Sequence, residues 1–307
     1  MRRFAGLIVA AAVVIALVAT HYRARTDFAE AAMGFDGARA FKDLERLVAL
    51  GPRPPGSAVI EQARQYIGAQ LAAAGAEVRR DPFTPSTPDG PIPMVNIVGI
   101  LPGRTSHVVI VSGHYDTARL KGIEFLGAND GGSSAAELLE LARVLSRRSH
   151  VLTYWLVFFD GEEAIEHWSA TDSLYGSRHL VESLRGSGKL GDVRAVMLLD
   201  MVAGRDPQFR PEGNSTPWLR ELLFSTADRL GYRDAFASGN PLPVEDDHLP
   251  FLAAGVPAVD IIDFAPFLRG YHHTSQDTLA QCSPGTLAMA GRVVLATLAE
   301  LERRLKN

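Results

Sequence analysis

Two adjacent glutamates, Glu162 and Glu163, stand where an apolar run ends and are the side chains in this sequence best suited to chemistry. Residues 154–159 are rich in aromatic and β-branched side chains, which is typical of a buried strand. Neighbouring carboxylates at such a place repel each other and lose hydration, and a bound cation removes both costs. One glutamate could then bind the metal while the other moves a proton. A solvated turn with two surface acids is the alternative.

Further carboxylates and imidazoles follow the other predicted strands. They are His114 and Asp116 after residues 107–112, Asp130 after a glycine-rich loop, Asp200 after residues 193–199, and His272 and His273 after residues 257–262. Ligands of open α/β sheets bind beyond the carboxyl ends of the strands, so these side chains are expected to meet. Each aspartate alone could instead cap a helix. Together, Asp, Glu and His with one open position favour a catalytic zinc ion or a similar divalent ion.

Composition narrows the class of protein. The chain has 307 residues, a net charge of −4, and 21% charged and 47% hydrophobic residues, as expected of a globular protein. The net charge gives no reason to expect nucleic acid as a partner. The single cysteine, Cys282, excludes an intrachain disulfide and a thiolate zinc site, so nitrogen and oxygen ligands must hold any metal.

The first 26 residues have the pattern of a targeting segment. Arg2 and Arg3 precede residues 4–20, which are almost wholly apolar. A positive start followed by an apolar core predicts a signal segment, either an uncleaved anchor or a cleaved peptide, over residues 1–26. A buried cytosolic helix is the remaining alternative. The catalytic part is therefore expected outside the cytoplasm, periplasmic or secreted, with membrane contact through this segment.

The rest of the chain, residues 30–307, is predicted to be one α/β catalytic domain. Strands are predicted over residues 78–83, 95–101, 107–112, 154–159, 193–199 and 257–262, and helices over 35–50, 59–74, 135–145, 177–184, 218–230 and 284–305. Residues 85–93 are predicted as a surface loop, and Ser133 or Ser134 as an N-cap. Continuous apolar strands alternating with helices predict a mostly parallel sheet covered on both faces. Long helices between the strands argue against an antiparallel sandwich.

Five pieces in fixed order resemble the M28 family of zinc metallopeptidases: His-x-Asp, Gly-Ala-Asn-Asp-Gly, Glu-Glu, Leu-Asp and His-Thr, from about residue 95 onward. The resemblance implies a three-layer phosphorylase/hydrolase-like fold with a central mixed, mostly parallel sheet and helices on both faces. By position it implies metal ligands at His114, Asp130, Glu163, Asp200 and His273. It also implies Glu162 as the general base and Asp116 as the carboxylate that orients His114.

Residues 160–179 and 245–257 further resemble the glutaminyl cyclase branch of that family. This narrower resemblance implies one zinc ion on Asp130, Glu163 and His273, a hydrogen-bond network of Asp200 and Asp246 beside it, and Trp168 at the substrate pocket. Two positions depart from the animal cyclases. His272 stands where they carry Trp, and Asp260 stands where they carry His in the last strand. These departures bear on the pocket wall more than on the zinc.

Three functions remain open from the sequence. A zinc-dependent glutaminyl-peptide cyclotransferase would use one zinc ion to convert N-terminal glutamine to pyroglutamate with release of ammonia. An M28 aminopeptidase would use two zinc ions bridged by Asp130, with Glu162 activating water. An inactive membrane-anchored scaffold is disfavoured because Glu162 and the full ligand set are intact.

The cyclase is favoured because it accounts for residues 160–179. The substrate-binding residues are predicted to be Trp168, His248, Phe267 and His272. Peptide or protein N-termini are the expected partners, and the chain is expected to be a monomer.

Overall fold

The computed structural model describes residue 30 and residues 32–305. The predicted targeting segment over residues 1–26 lies outside this part of the chain. Among the helices of the described residues, none combines the length and apolar character needed to cross a membrane.

A six-stranded sheet forms the centre of the fold. Its strands are β1 (Glu77–Phe83), β4 (Met94–Leu101), β5 (Val108–His114), β6 (Thr153–Phe159), β7 (Val193–Asp200) and β8 (Ala258–Ile262). Their order across the sheet is β1-β4-β6-β5-β7-β8. Strands β5 to β8 are parallel, whereas β1 and β4 run antiparallel to their neighbours. The mixed, mostly parallel sheet that the sequence predicted is therefore confirmed.

Helices cover both faces of this sheet. The main helices are α1 (Gly37–Val48), α2 (Ala58–Ala74), α3 (Ser134–Leu145), α4 (Tyr175–Gly186), α5 (Pro217–Arg229), α6 (Leu249–Ala253), α7 (Ala265–Arg269) and α8 (Pro284–Leu305). Side chains of α1, α2, α3, α5 and α8 share one hydrophobic core with one face of the sheet. Side chains of α4 and α6 pack on the opposite face. The result is the predicted three-layer architecture.

Strand β6 shows why its sequence is apolar without alternation. Trp155 and Val157 point into the core beneath α4, while Leu156 and Phe158 point into the core beneath α3. A strand that is buried on both faces has no polar side, as expected for the interior of a parallel sheet. Full burial of such side chains contributes about 1.5–3 kcal/mol each, so the apolar run fixes the position of the carboxylates that follow it.

Three local details differ from the predictions. Ser133 stands at the N-cap position of α3, as predicted, but its side chain caps no N–H group, because the chain enters through a helical turn over Ala128–Ser133 and the Ser133 hydroxyl donates to the Asn129 carbonyl at 2.5 Å. The predicted loop over residues 85–93 contains a small hairpin of β2 (Ser86–Thr87) and β3 (Gly90–Pro91). Strand β5 extends to His114, so this imidazole is carried by the strand itself.

Candidate metal centre and active site

Strands β5 and β7 end side by side and bring His114 and Asp200 together. His114 Nε2 lies 3.4 Å from Asp200 Oδ1 and 3.2 Å from Asp130 Oδ1. All three residues are buried. One imidazole nitrogen thus faces two carboxylates from segments far apart in the sequence.

A second imidazole meets the other side of Asp130. His273 Nε2 lies 3.3 Å from Asp130 Oδ2 and 3.0 Å from Glu163 Oε1. Asp130 therefore presents Oδ1 to His114 and Oδ2 to His273. This arrangement of one carboxylate between two imidazoles is what a ligand shared by two neighbouring ions would need.

The spacing of these atoms fits zinc. Two ligands held about 2.0–2.1 Å from one tetrahedral ion lie about 3.3 Å apart. The contacts of Asp130 with His114 and His273, at 3.2 and 3.3 Å, match this separation. Asp130 Oδ2 and Asp200 Oδ1 are buried without a hydrogen-bond partner, as expected of atoms that bind an ion.

Within the described residues, two sets of three side chains have ligand atoms within 4.8 Å of one another: His114 with Asp130 and Asp200, and Asp130 with His272 and His273. Glu163 is in neither set, and its contact with the centre is the one that it makes with His273. All five side chains for which the sequence predicted metal binding nevertheless converge on the ends of three neighbouring strands.

The electrostatics of the centre are those of a cation site. Burial raises the pKa of Glu163 to about 7, and neighbouring Asp130 adds to this shift. Burial alone would lower the pKa of His273, but the carboxylates of Asp130 and Glu163 outweigh it and raise the pKa to about 11. The same imidazoles, on His114 and His273, hold the pKa of Asp130 well below its usual range despite burial. The carboxylates of this centre thus favour positive charge at the place where a metal ion would supply it.

Glu162 lies beside this centre and is only 7% exposed. Its nearest imidazole contact is 3.9 Å, from Oε2 to His114 Nδ1. Burial, followed by repulsion from Glu163, raises the pKa of Glu162 well above its usual range, although His114 counteracts the shift. A buried carboxyl group with a raised pKa is suited to accept and return a proton.

Asp116 holds the two glutamates in place. Its Oδ1 and Oδ2 accept the backbone N–H groups of Glu162 and Glu163, both at 3.3 Å. Asp116 Oδ1 also lies 3.5 Å from His114 Nδ1, on the side of the ring away from Asp130. The sequence predicted only the contact with His114, which is the one that would orient the imidazole. The contact with the glutamate backbone ties the end of β5 to the end of β6.

Three buried residues that the sequence analysis missed hold the Asp130 loop. Arg53 donates to the carbonyls of Leu126 and Gly127 at 2.7 and 2.8 Å. Asn129 Oδ1 accepts the Ala203 N–H at 2.9 Å, next to the end of β7. Asp277 accepts two N–H groups of the loop. The position of Asp277 four residues after His273, in a polar segment, was the one signal available in the sequence.

Backbone conformation at the site is strained. In the described part of the chain, the non-glycine residues with positive φ are Leu174, Met201 and His273, at 52°, 51° and 53°. His273 is a candidate ligand, Met201 follows Asp200, and the Leu174 N–H donates to the Glu162 carbonyl at 2.9 Å. Left-handed conformations of this kind cost of order 1–3 kcal/mol each. The loops around the centre are therefore held by their surroundings and not by local preference.

Three of the predicted substrate-binding residues reach solvent. Trp168 is 39% exposed, and its Nε1 donates to Glu245 Oε2 at 2.8 Å. Phe267 is 42% exposed, and its ring centroid lies 4.2 Å from that of His272. His272 stacks on His273 with ring centroids 3.8 Å apart. Phe267 and His272 are thus placed to contact a molecule that approaches His273.

The fourth, His248, has no exposed surface. Its Nε2 lies 3.1 Å from Glu212 Oε2 in the interior. The imidazole can therefore influence a substrate only through its neighbours, in contrast to the direct contact that was predicted. Asp246, two residues earlier, is also buried, and burial followed by repulsion from Asp200 raises its pKa well above the usual range.

The metal-free protein is expected to become less stable, with a smaller free energy of unfolding, as pH rises from about 4 to about 7. Burial raises the pKa of Glu163, Asp247 and Asp277 to about 7 from ordinary values of 4.5, 3.8 and 3.8. In that range the folded state binds more protons than the unfolded state, so rising pH favours unfolding. Thermal unfolding midpoints of chelator-treated protein across this range measure the effect. Midpoints that rise with pH would contradict it, and zinc-loaded protein is the control.

Comparisons with known proteins agree with this geometry. Residues 96–298, which include the whole candidate centre, match peptidase family M28. The chain is 35% identical over 277 residues to the glutaminyl-peptide cyclotransferase-like protein of Bos taurus, an alignment that covers 81% of this chain and 72% of the relative.

Two solved structures are similar over most of the chain. The crystal structure of Acidobacteriales bacterium glutaminyl cyclase has a TM-score of 0.82 and 38% identity, covering 88% of this chain and 96% of that one. The glutaminyl cyclase of Porphyromonas gingivalis has a TM-score of 0.80 and 29% identity, covering 87% and 99%.

Proposed function

Since this chain belongs to peptidase family M28 and is similar to glutaminyl cyclases along most of its length, we propose that it is a zinc-dependent glutaminyl-peptide cyclotransferase. It would convert the N-terminal glutamine of a peptide or protein to pyroglutamate and release ammonia. The observation that carries the proposal is the approach of Asp130 and Glu163 to one nitrogen of His273, with Glu162 buried beside them. Residues 30–307 form the catalytic domain in this proposal.

We assign the zinc ion to Asp130, Glu163 and His273. His272 also comes close to Asp130, with 3.7 Å between Nε2 and Oδ2. Its ring is nearly parallel to that of His273, at an angle of 18°, and parallel rings do not direct their in-plane nitrogen lone pairs at a single ion. Glu163 Oε1, at 3.0 Å from His273 Nε2, is the better third ligand. His272 then serves the pocket wall.

Bound zinc supplies a Lewis acid that polarises the γ-carbonyl of the glutamine side chain. Glu162 accepts a proton from the α-amine as the amine nitrogen bonds to the carbonyl carbon of the side-chain amide, Cδ. The same carboxyl group returns that proton to the amide nitrogen as the carbon–nitrogen bond breaks and ammonia leaves. Nucleophile and electrophile belong to one molecule, so the chain contributes mainly orientation and stabilisation of charge.

The other predicted residues support this step. Asp200 and Asp246 are both buried, and the charge of Asp200 raises the pKa of Asp246. We assign the two residues to a hydrogen-bond network beside the zinc. Trp168, Phe267 and His272 would form the wall that receives the glutamine side chain. His248 would support this wall from the interior through Glu212.

One observation favours a second function, zinc aminopeptidase activity. Asp130 offers a separate oxygen to each of two imidazoles, and Asp200 completes a set with His114. A second ion would be held there, and Glu162 would then take a proton from water during attack on the first peptide bond. The ligand residues alone do not distinguish one ion from two.

Incubation of the purified protein with a glutamine-initiated peptide is expected to yield pyroglutamyl peptide and ammonia, detected by mass spectrometry and an ammonia assay. The same peptide with N-terminal leucine serves as the comparison substrate. Release of free amino acid from it, without cyclisation of the glutamine peptide, would overturn the proposal in favour of the aminopeptidase. Metal analysis gives a second measure, with about one zinc per chain expected for the cyclase and about two for the peptidase.

We further propose that the enzyme works outside the cytoplasm as a monomer. The targeting pattern of residues 1–26 supports this location, with or without membrane anchoring by that segment. Cell fractionation of the full chain measures it, and size-exclusion chromatography with light scattering measures the oligomeric state.

A further inference from the structure

The backbone that carries Asp130 departs from helical geometry at the ligand itself. In the helical turn over Ala128–Ser133, Asp130 has φ −83° and ψ 109°, and Gly131 has φ 76°. The N–H groups at the start of a helix have no partner within it, and here they are buried away from water. Buried N–H groups must be bonded from outside the helix, or each one left unpaired destabilises the loop.

Asp277 supplies those bonds. Its Oδ1 accepts the Asn129 N–H at 2.8 Å, and its Oδ2 accepts the Asp130 N–H at 3.0 Å. Its backbone carbonyl accepts the Ala128 N–H at 3.4 Å. Three consecutive N–H groups of the Asp130 loop are therefore bonded to one residue, which is 2% exposed.

The same residue belongs to the loop that carries His273. Only four positions separate Asp277 from this candidate ligand, whereas 147 separate it from Asp130. Between them, the Asp277 N–H donates to the Thr274 carbonyl at 3.2 Å, which folds the segment into a turn. A shift of either loop thus moves the other, and the distance between the two ligands is set through this contact.

We propose that Asp277 is a positioning residue for the zinc centre, which couples the Asp130 loop to the His273 loop and fixes the separation of these two ligands. The inference rests on the zinc site of the proposed function. It does not assign Asp277 to the metal, because both carboxylate oxygens are occupied by backbone N–H groups.

The chemistry of the contact explains why a carboxylate is required. Asparagine has nearly the same shape but only one acceptor oxygen, and its NH₂ group would face a backbone N–H. Asp277→Asn therefore removes one hydrogen bond and brings two donors, the side-chain NH₂ group and a backbone N–H, face to face. Asp277→Glu keeps both acceptors and the charge, but its additional methylene group displaces them. The first change is expected to have the larger effect on the loop.

The test measures zinc affinity by competition with a chromophoric chelator, in the absence of any peptide. Asp277→Asn is expected to weaken zinc binding 10–100-fold, the usual effect of removing a residue that supports a ligand, and Asp277→Glu less. At saturating zinc, Asp277→Asn is expected to reach most of the wild-type kcat. In the metal-free variant, hydrogen exchange at the Asn129 and Asp130 amides is expected to accelerate.

Asp172→Asn is the matched control. Asp172 is another buried aspartate that accepts backbone N–H groups, from Ile165, Glu166 and His167 at 2.8–2.9 Å. It holds the residues that follow Glu163 and flank Trp168 but accepts no N–H group from a candidate ligand, so its loss is expected to lower zinc affinity much less than Asp277→Asn does.

Two outcomes would overturn the proposal: unchanged zinc affinity in Asp277→Asn, or equal losses in Asp277→Asn and Asp172→Asn that follow the fall in melting temperature. If Asp277→Asn does not fold, the same comparison is made with Asp277→Glu. The result is independent of the reaction. A wild-type protein that binds zinc but does not cyclise glutamine peptides would refute the proposed function, while the dependence of zinc affinity on Asp277 would stand.

Discussion

Replacement of Glu162 by glutamine is expected to lower kcat by about 10²–10⁴-fold while zinc remains bound. The amide has the size of the carboxyl group but cannot accept the proton of the attacking amine. The side chain is buried, so bulk water cannot readily take over this role. Steady-state kinetics with a glutamine peptide measure the loss, and metal analysis of the same sample measures zinc content.

Glu166→Gln is the matched control for this experiment, because Glu166 is an exposed glutamate on the same loop. It is expected to retain the kcat of the wild type. If Glu162→Gln also retained turnover, the proton would have to be transferred by another group, and Asp246 would be the first to test. Loss of zinc together with turnover would instead indicate that Glu162 is a metal ligand.

The second large effect is expected from the two adjacent histidines. His273→Ala should weaken zinc binding by roughly 10²–10³-fold, since binding free energies of about 10–16 kcal/mol shared among four ligands give about 2.5–4 kcal/mol for each. His272→Ala, at the next position in the chain, should retain zinc because its ring stacks on His273 and does not converge with it on an ion. Its expected effect is a higher KM.

Chelator competition on the two variants measures this difference directly. Equal loss of zinc in both would mean that His272 is a ligand, in keeping with the proximity of its nitrogen to Asp130. His114→Ala extends the comparison to the other centre. Retention of one zinc per chain in that variant agrees with a single ion at His273, whereas a drop from about two to about one supports the aminopeptidase.

The sheet and the location of the site could be predicted from the sequence because both depend on local patterns. An uninterrupted apolar run such as residues 154–159 is typical of a strand that is buried on both faces, and that burial was confirmed. Polar residues after such runs must lie at one edge of a parallel sheet. His114, Glu163 and Asp200 could therefore be predicted to lie together without knowledge of the strand order.

The supports of the site could not be predicted in this way. Asp277 bonds to the Asn129 N–H, 148 residues away, and a backbone amide leaves no mark on the sequence. Arg53 binds carbonyl groups, which every residue has, so its position in a proline-rich loop carried no signal. The burial of His248 depends on the packing around Glu212. Such contacts arise only from the tertiary fold.

The two oxygens of Asp130, turned towards different imidazoles, have a consequence for how such enzymes diverge. A scaffold with this carboxylate can gain or lose a second ion without exchanging any ligand. Selection acting on a descendant of such a scaffold could therefore change the reaction by reshaping the walls around the substrate, for example at Trp168 and His272. Reconstructed ancestors of this lineage should then already bind metal through the same ligands, whereas the preference for glutamine substrates should appear only in later ones.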